Sequence, residues 1–351
     1  MRSEVLIMFA GIVVFGGVLT AVPRYFFASH AAESATMAAV REGVLPNPET
    51  SSVVKTEAPA ATQSTAARDP GASTYVSAEV YPDVWPVRDW DVPDPVLIAS
   101  SSLVFLASEE KVLFESNPRA PLPIASITKL LTALVALERA EPEAALTVSP
   151  EALAVAGISK LAAGDRFTLA QLILFMLLPS SNDAAQTLWL HLGREDFIRV
   201  LNEKARELGM KDSHFVNASG LDEESASVPA DAQGGSSEAL FNAASAYDTA
   251  LLMRAVLQNE FLTRSIGLEH ITISSQGGRS VSLNNSNKLL GKMPGVIGGK
   301  TGFTDEARET FVVATTEGER QANVIYVILG SRDRLADMRA LIDWTRNAYK
   351  F

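Results

Sequence analysis

The sequence predicts an α+β fold, in which strands from both ends of the folded region form one sheet and helices fill the middle. Residues 96–107 and 111–115 have the apolar, β-branched composition of strands, and 310–315 and 323–329 form a second pair. Between the pairs, apolar residues recur at three- and four-residue spacing, as in amphipathic helices. This order favours a sheet whose first and last strands are adjacent, with an inserted helical lobe.

The predicted elements follow in chain order. Ser108, Glu109 and Glu110 form the turn between the first two strands, and a long apolar helix begins at or near Ser126. That helix runs to about residue 140. Further helices are expected over 169–178, 182–192, 196–208 and 245–257. A hairpin around Gly318 joins the last two strands, and an amphipathic helix over 333–349 follows them.

Residues 5–22 contain no charged side chain and are just long enough to cross a bilayer. We therefore assign residues 1–24 to an N-terminal transmembrane anchor or signal segment and favour the uncleaved anchor. The alternative is a cleaved signal, for which Ser29 and Ala31 offer small residues before a cut. Both interpretations export the rest of the chain, which places the folded domain outside the cytoplasmic membrane or in the medium.

Residues 25–92 are predicted to be a disordered spacer rich in Ala, Ser, Thr and Pro. No apolar period persists over most of this stretch, so it cannot bury enough surface to offset its ordering entropy. Within 81–95, Trp85 and Trp90 stand among prolines, which suggests an extended strap packed on the folded domain. Residues 93–351 then form the folded domain.

Composition excludes several classes of protein. The formal net charge is −11, whereas a general nucleic-acid binder needs a basic face. The chain has no cysteine, which rules out disulfides and thiolate catalysis. Its four histidines show no metal-ligand spacing, so we expect neither a metal nor a cofactor.

The first chemical motif is Ser126-Ile127-Thr128-Lys129, at the start of the long apolar helix. A serine hydroxyl becomes a good nucleophile only when a base removes its proton. Lys129 lies one turn further on the same face, and an apolar helix desolvates its amine and lowers its pKa. Ser126 is thus the candidate nucleophile and Lys129 its base. Ser52-Val53-Val54-Lys55 matches the same pattern in the spacer, where no helix is expected.

The second motif is Ser180-Ser181-Asn182, which follows an apolar run and Pro179 and opens a new helix. Side chains at such a junction can project into a cleft. Ser180 is a candidate for relaying a proton between Lys129 and a leaving amine. Asn182 is a candidate hydrogen-bond partner for both Lys129 and the backbone carbonyl of the substrate. The alternative is a plain helix cap of serine and asparagine.

The third motif is Lys300-Thr301-Gly302-Phe303 on a glycine-flanked strand at a sheet edge. Lys300 and Thr301 are candidate ligands for a terminal carboxylate, and Gly302 allows close approach of a substrate backbone. The N–H groups of Phe303 and Ser126 are candidates for an oxyanion hole. A phosphate-binding loop is excluded because its pattern needs glycine where Pro294 stands.

The three motifs, in this order and at these intervals, resemble the serine D-alanyl-D-alanine carboxypeptidase family of low-molecular-mass penicillin-binding proteins. The resemblance extends over about 96–350. It also includes Asn182-Asp183-Ala184-Ala185, Phe215-Val216-Asn217-Ala218-Ser219-Gly220-Leu221, Ser245-Ala246-Tyr247-Asp248 and Asn285-Ser286-Asn287-Lys288-Leu289-Leu290. Two positions depart from the usual pattern: Ser181 stands where glycine is common, and Arg308 follows Ala307 where the family usually has glycine.

The resemblance implies a β-lactamase/DD-peptidase-like fold, with a five-stranded antiparallel sheet flanked by helices and a helical subdomain. It also implies removal of the terminal D-Ala from peptidoglycan stem peptides through an acyl-enzyme on Ser126, with β-lactams as inhibitors and no cofactor. Three alternatives remain: a D,D-endopeptidase acting on cross-links, a β-lactamase and a catalytically silent wall-binding protein. For the β-lactamase, Glu238 and Asn242 match the deacylation pattern but lie too far along the chain.

Overall fold

The computed structural model describes residues 85–157, 160–222 and 241–351. Within these ranges the strands are β1 Val87–Arg88, β2 Ser101–Leu106, β3 Lys111–Ser116, β4 Leu122–Pro123, β5 Ala145–Thr147, β6 Arg166–Thr168, β7 Ala243–Ala244, β8 His270–Ser274, β9 Ser280–Asn284, β10 Val296–Thr304, β11 Arg308–Glu317, β12 Ala322–Ser331 and β13 Tyr349–Lys350. The α-helices there are α1 Thr128–Arg139, α2 Leu169–Leu177, α3 Asn182–Leu192, α4 Glu195–Glu207, α5 Ala246–Leu257, α6 Glu260–Gly267 and α7 Arg334–Ala348.

A five-stranded antiparallel sheet in the order β10-β11-β12-β2-β3 is the centre of the fold. The pairing of β12 with β2 confirms that strands from the two ends of the domain are adjacent. The first strand begins at Ser101 rather than at residue 96. Before it the backbone has other partners, because the N–H of Ile98 donates to the Asp337 carboxylate.

Each face of the sheet buries its own apolar core, as the two-residue period of a strand requires. On one face, Val104 and Tyr326 pack with residues of α7 such as Leu341. On the other, Phe105 and Val327 pack with the helices of the inserted lobe. The helices therefore cover both faces, and the catalytic motifs lie on the side of the inserted lobe.

The residues before β2 form a strap along α7. In this strap, Val87–Arg88 pairs with Tyr349–Lys350, and Trp85 packs against the core under α7. The Trp344 indole N–H donates to the Pro93 carbonyl at 2.8 Å. The strap predicted over 81–95 is confirmed for its described part. Residues 85–92, the last part of the predicted 25–92 spacer, belong to this strap.

In the part of the chain that the structure describes, no helix combines the length and the apolar character needed to cross a bilayer. The stretch on which the anchor prediction rests, 5–22, lies outside that part, as do the rest of 1–24 and most of the predicted spacer.

Candidate active site

Ser126 lies on a short 3₁₀ turn, Ala125–Ile127, which leads directly into α1. The backbone of Ala125 has a φ of 47°, a left-handed conformation that is strained for a residue with a side chain. Two glycines hold this turn at close range. A Cβ at position 220 would lie 1.9 Å from the Ala125 carbonyl oxygen, and one at Gly302 would lie 2.9 Å from that of Ile124. The nucleophile is thus positioned by backbone contacts that admit only glycine.

Lys129 is fully buried, and its Nζ lies 2.7 Å from Ser126 Oγ, as the three-residue spacing predicts. Two further oxygens surround the amine: Asn182 Oδ1 at 2.8 Å and the Ser219 carbonyl at 2.6 Å. Amide oxygens only accept hydrogen bonds. A neutral amine therefore directs its two N–H bonds at these oxygens and its lone pair at Ser126, which can donate its hydroxyl proton.

Burial is the main reason why the pKa of Lys129 lies well below its usual range, and the charge of Lys300 lowers it further. Desolvation disfavours the ammonium form, and among the described residues no carboxylate contacts the amine to stabilise it. The geometry and the lowered pKa both favour a neutral Lys129, the state that a general base requires.

The residues of the second motif have two different functions, capping a helix and binding the site lysines. Ser181 is the N-cap of α3, since its hydroxyl accepts a hydrogen bond from the Ala184 N–H at 3.2 Å. The side chains on either side of it bind the two site lysines. Asn182 binds Lys129 through its oxygen and donates through its nitrogen to the Ala156 carbonyl. Ser180, whose φ is 65°, accepts a hydrogen bond from Lys300 at 2.7 Å. The hydroxyl of Ser180 is thus hydrogen-bonded to Lys300 and not to Lys129.

Lys300 is also fully buried, on β10 at the edge of the main sheet. Besides Ser180, its Nζ donates to the Thr301 carbonyl at 2.8 Å. Burial, and then the charge of Arg334, lower the pKa of Lys300 to about 7. Its ammonium is therefore only partly populated at neutral pH, and a bound carboxylate would restore the charge.

The remaining residues of the third motif extend along β10. Thr301 Oγ1 lies 2.7 Å from Ser286 Oγ, and the Gly302 carbonyl accepts a hydrogen bond from Arg334 at 2.7 Å. The Phe303 side chain is 60% exposed. The oxyanion hole formed by the N–H groups of Phe303 and Ser126 stays a prediction.

Three participants were missed by sequence reasoning: the Ser219 carbonyl, the Ser286 hydroxyl and the Arg334 guanidinium. Ser219 and Ser286 lie in segments that match the family pattern, which was a signal that they are near the site. Arg334 had no such signal, because a charged residue in the first turn of a helix is ordinary. The Arg308 departure has a structural counterpart: it adopts a φ of 53°, a conformation that glycine adopts more easily.

Comparison with known proteins supports the same assignment. The model of the family described as D-alanyl-D-alanine carboxypeptidase, Peptidase_S11, matches residues 91–333, more than half of the chain. D-alanyl-D-alanine carboxypeptidase DacB2 of Mycobacterium tuberculosis is 32% identical over 68% of this chain and 77% of its own length. A D-alanyl-D-alanine endopeptidase of Pseudomonas aeruginosa is 30% identical over 71% of this chain and 77% of its own length. For DacF of Bacillus subtilis, 27% identical, the match covers 72% of this chain and 63% of the relative, less than two thirds.

Solved structures agree with these matches. A D-alanyl-D-alanine carboxypeptidase from M. tuberculosis superposes with a TM-score of 0.65 at 28% identity, over 77% of this chain and 99% of that one. Penicillin-binding protein D2 of Listeria monocytogenes, in an ampicillin-bound form, superposes with a TM-score of 0.59 at 28% identity. The match covers 72% of this chain and 98% of that one. The fold class and the predicted resemblance are thereby confirmed, and the chain belongs to the D-alanyl-D-alanine carboxypeptidase family, peptidase family S11.

Proposed function

We propose that this protein is a serine D-alanyl-D-alanine carboxypeptidase that removes the terminal D-Ala of peptidoglycan stem peptides. The observation that supports this most directly is the 2.7 Å contact between a fully buried lysine amine, Lys129, and Ser126 Oγ. Family membership supports the substrate class.

In the proposed acylation, Ser126 Oγ attacks the carbonyl carbon of the penultimate D-Ala while its proton passes to Lys129 Nζ. The negative charge on the carbonyl oxygen is held by the backbone N–H groups of Ser126 and Phe303. The peptide C–N bond then breaks. The departing D-Ala amine takes up this proton from Lys129, with Ser180 as the proposed relay, and Lys129 becomes neutral again.

Deacylation reverses these roles. A water molecule gives its proton to neutral Lys129 and attacks the ester carbonyl, and Ser126 recovers its hydroxyl. Lys300 and Thr301 hold the carboxylate of the terminal D-Ala before it leaves. Asn182 orients Lys129 through its side-chain oxygen. Its amide nitrogen is the proposed hydrogen-bond donor to the substrate's backbone carbonyl.

The test uses a fluorescent penicillin, whose β-lactam amide should acylate the same serine. Inhibition of this kind is supported by the ampicillin-bound form of the Listeria relative. Wild type should be labelled, and Ser126→Ala should not. Ser52→Ala is the matched control, because Ser52 begins the other S-x-x-K sequence of the chain and should label like wild type. Equal labelling of wild type and Ser126→Ala would contradict the acyl-enzyme.

A D,D-endopeptidase that cuts cross-links is the second candidate, supported by the P. aeruginosa relative of that name. The same acyl-enzyme serves both reactions, and only the leaving amine differs. Release of D-Ala from a pentapeptide, compared with cleavage of a cross-linked dimer, separates the two. A β-lactamase would hydrolyse penicillin with repeated turnover, and a silent wall-binding protein would not be acylated.

The proposed location is the outer side of the bacterial cytoplasmic membrane, held there by residues 5–22. Their uncharged composition supports it, and the proposed substrate lies in that compartment. Cell fractionation and the mass of the mature protein test this. A membrane-bound protein that retains residues 1–24 is expected, whereas a shorter soluble form would indicate a cleaved signal.

A further inference from the structure

Asn242, the asparagine that matches the β-lactamase deacylation pattern in the sequence, is 1% exposed and lies directly before β7. Its Oδ1 accepts hydrogen bonds from the N–H groups of Val216 at 2.7 Å and Asn217 at 3.1 Å. Its Nδ2 donates to Thr128 Oγ1 at 3.0 Å and to the Asn217 carbonyl at 2.9 Å. Because an amide has only two N–H bonds, both are used within the protein, and neither is left to orient a deacylating water.

The turn over 217–220 is the segment that brings the Ser219 carbonyl to the base. Asn217 closes this turn from within, since its Oδ1 accepts hydrogen bonds from the N–H groups of Gly220 at 2.7 Å and Ser219 at 3.2 Å. The Ser219 carbonyl then lies 2.6 Å from Lys129 Nζ. The position of this carbonyl therefore depends on where the backbone of Asn217 is held.

Asn242 holds that backbone against the start of the catalytic helix. Its side chain binds both the N–H and the carbonyl of Asn217. Its second N–H bond reaches Thr128, the first residue of α1, which directly precedes Lys129. A single buried side chain thus connects the residue that closes the turn to the helix that carries the base.

We propose that Asn242 is a positioning residue for the general base, which it serves by holding the Ser219 carbonyl against Lys129. This role rests on the proposed function and adds to it a residue that acts through others. Before acylation, the hydrogen bond to this carbonyl comes from a neutral amine. As Lys129 takes up the Ser126 proton, the same bond becomes charge-assisted and stronger. Displacement of the carbonyl therefore slows acylation without weakening the binding that precedes it.

Stopped-flow acylation by the fluorescent penicillin measures two quantities, the limiting rate constant of acylation and the dissociation constant of the complex before acylation. In Asn242→Ala the rate constant should fall by about tenfold, the effect of one charge-assisted hydrogen bond, while the dissociation constant stays within about twofold of wild type. The loss is partial because Thr132 Oγ1 still donates to the Ala218 carbonyl at 2.8 Å and keeps the turn near α1. Thr128→Val removes only the acceptor on α1, so its rate constant should fall by about threefold.

Asn202→Ala is the matched control, because Asn202 bridges backbone groups in the same way but next to the turn. Its side chain bonds with the Phe215 N–H at 3.0 Å, the Phe215 carbonyl at 2.7 Å and the Ile198 carbonyl at 3.0 Å. We expect a loss of stability like that of Asn242→Ala, measured by thermal unfolding, and the wild-type rate constant. A fall in the rate constant as large as that of Asn242→Ala would overturn the inference, since any loosening of this region would then have the same effect.

Two other results would also overturn it: a wild-type rate constant in folded Asn242→Ala, or a fall in acylation that comes only from a weaker dissociation constant. If Asn242→Ala does not fold, Thr128→Val decides, and a wild-type rate constant in that variant contradicts the inference. Failure of the proposed function has a different signature, because wild type itself would then not be acylated.

Discussion

The cleft has a helix side, with Ser126 and Lys129, and a strand side, with Lys300 and Thr301. Both sides contain a fully buried lysine whose pKa is lowered mainly by burial. Their partners differ. The Lys129 amine contacts two amide oxygens and the nucleophile, while the Lys300 amine contacts a second hydroxyl and a backbone carbonyl.

The difference shows how one residue type serves two chemical purposes in one cleft. On the helix side, burial lowers the pKa of Lys129 and favours a neutral amine, whose lone pair can accept the proton of the nucleophile. On the strand side, the lysine lies near its point of half-protonation, so its charge depends on what binds. A base must be neutral before the substrate arrives, whereas a carboxylate ligand needs to be charged only in its presence.

The largest effect is expected from Lys129→Arg, which places a permanent positive charge at the position of the base. A guanidinium stays protonated at any accessible pH, so it cannot accept the Ser126 proton. Penicillin acylation should fall by about 10²–10⁴-fold, the usual contribution of a general base. Stopped-flow acylation measures this, with thermal unfolding to verify the fold. A folded variant that acylates at a rate near wild type would show that neutrality of Lys129 is not required.

A smaller effect is expected from Asn182→Asp, which places a carboxylate at the position now 2.8 Å from the Lys129 amine. An opposite charge at this distance raises the pKa of the lysine, so less of the neutral base is present at pH 7. Acylation should slow by about 10–100-fold at pH 7, and the loss should shrink as pH rises.

Asn182→Ala is the control for this pH dependence, since it removes the same hydrogen bond without adding charge. Its acylation should be slow without the shift of the pH profile to higher pH. The same profile for both variants would show that the charge state of Lys129 does not govern the rate.

For the strand side, we expect the preference for a free C-terminal carboxylate over its amide to fall as pH rises through about 7. The reason is that unliganded Lys300 loses its proton in this range. The ratio of kcat/KM values for a peptide and its C-terminal amide measures this preference, and a change of about tenfold is expected for one charge-assisted hydrogen bond. Lys300→Met should have a low, pH-independent ratio. A ratio in wild type that does not change with pH would contradict the assignment.

Stability offers an independent check on the same lysine. The pKa of Lys300 is about 7 in the folded protein and near 10.5 when the chain is unfolded, so the unfolded state binds more protons between these values. The free energy of unfolding therefore rises with pH from about 7 to about 10.5. Lys300→Met should reduce this rise, measured by urea unfolding at several pH values.

The smallest effect on acylation is expected from Ser181→Ala. Ser181 lies between Ser180 and Asn182, which bind the two buried lysines. Ser181 caps α3 and contacts neither lysine amine, so the change should lower the free energy of unfolding by about 1 kcal/mol. Acylation should stay within about twofold of wild type. A loss of acylation much larger than this would show that the cap also holds Ser180 and Asn182 in place.

Local patterns were enough to predict much of the helix side. The contact between Ser126 and Lys129 follows from helical spacing, and the bounds of Asn182–Leu192 follow from its apolar period. The hairpin of β8 and β9 was missed. Ser282 and Asn284 lie within it, and their alternation with apolar residues was not recognised as a strand.

The strand side was less predictable, because its contacts join residues far apart in sequence. The bond from Lys300 to Ser180 spans 120 positions, and that from Arg334 to Gly302 spans 32. Ser180 was expected to face Lys129. Its left-handed backbone conformation, which is uncommon for a residue with a side chain, instead accompanies the contact with Lys300. Tertiary packing determines which lysine Ser180 contacts, and the spacing of residues in the sequence does not reveal it.

The strap that joins Val87–Arg88 to Tyr349–Lys350 also determines how the domain responds to mechanical force. A force applied to the residues before the strap acts first on this short antiparallel pair. Its hydrogen bonds are then loaded one after another rather than all at once. Beyond it, the Pro93 carbonyl and the Ile98 N–H each form one hydrogen bond with α7, and Leu97 packs against the core under that helix. We therefore expect the strap to open under tension before load reaches the five-stranded sheet, so that Ser126 and Lys129 would keep their contact.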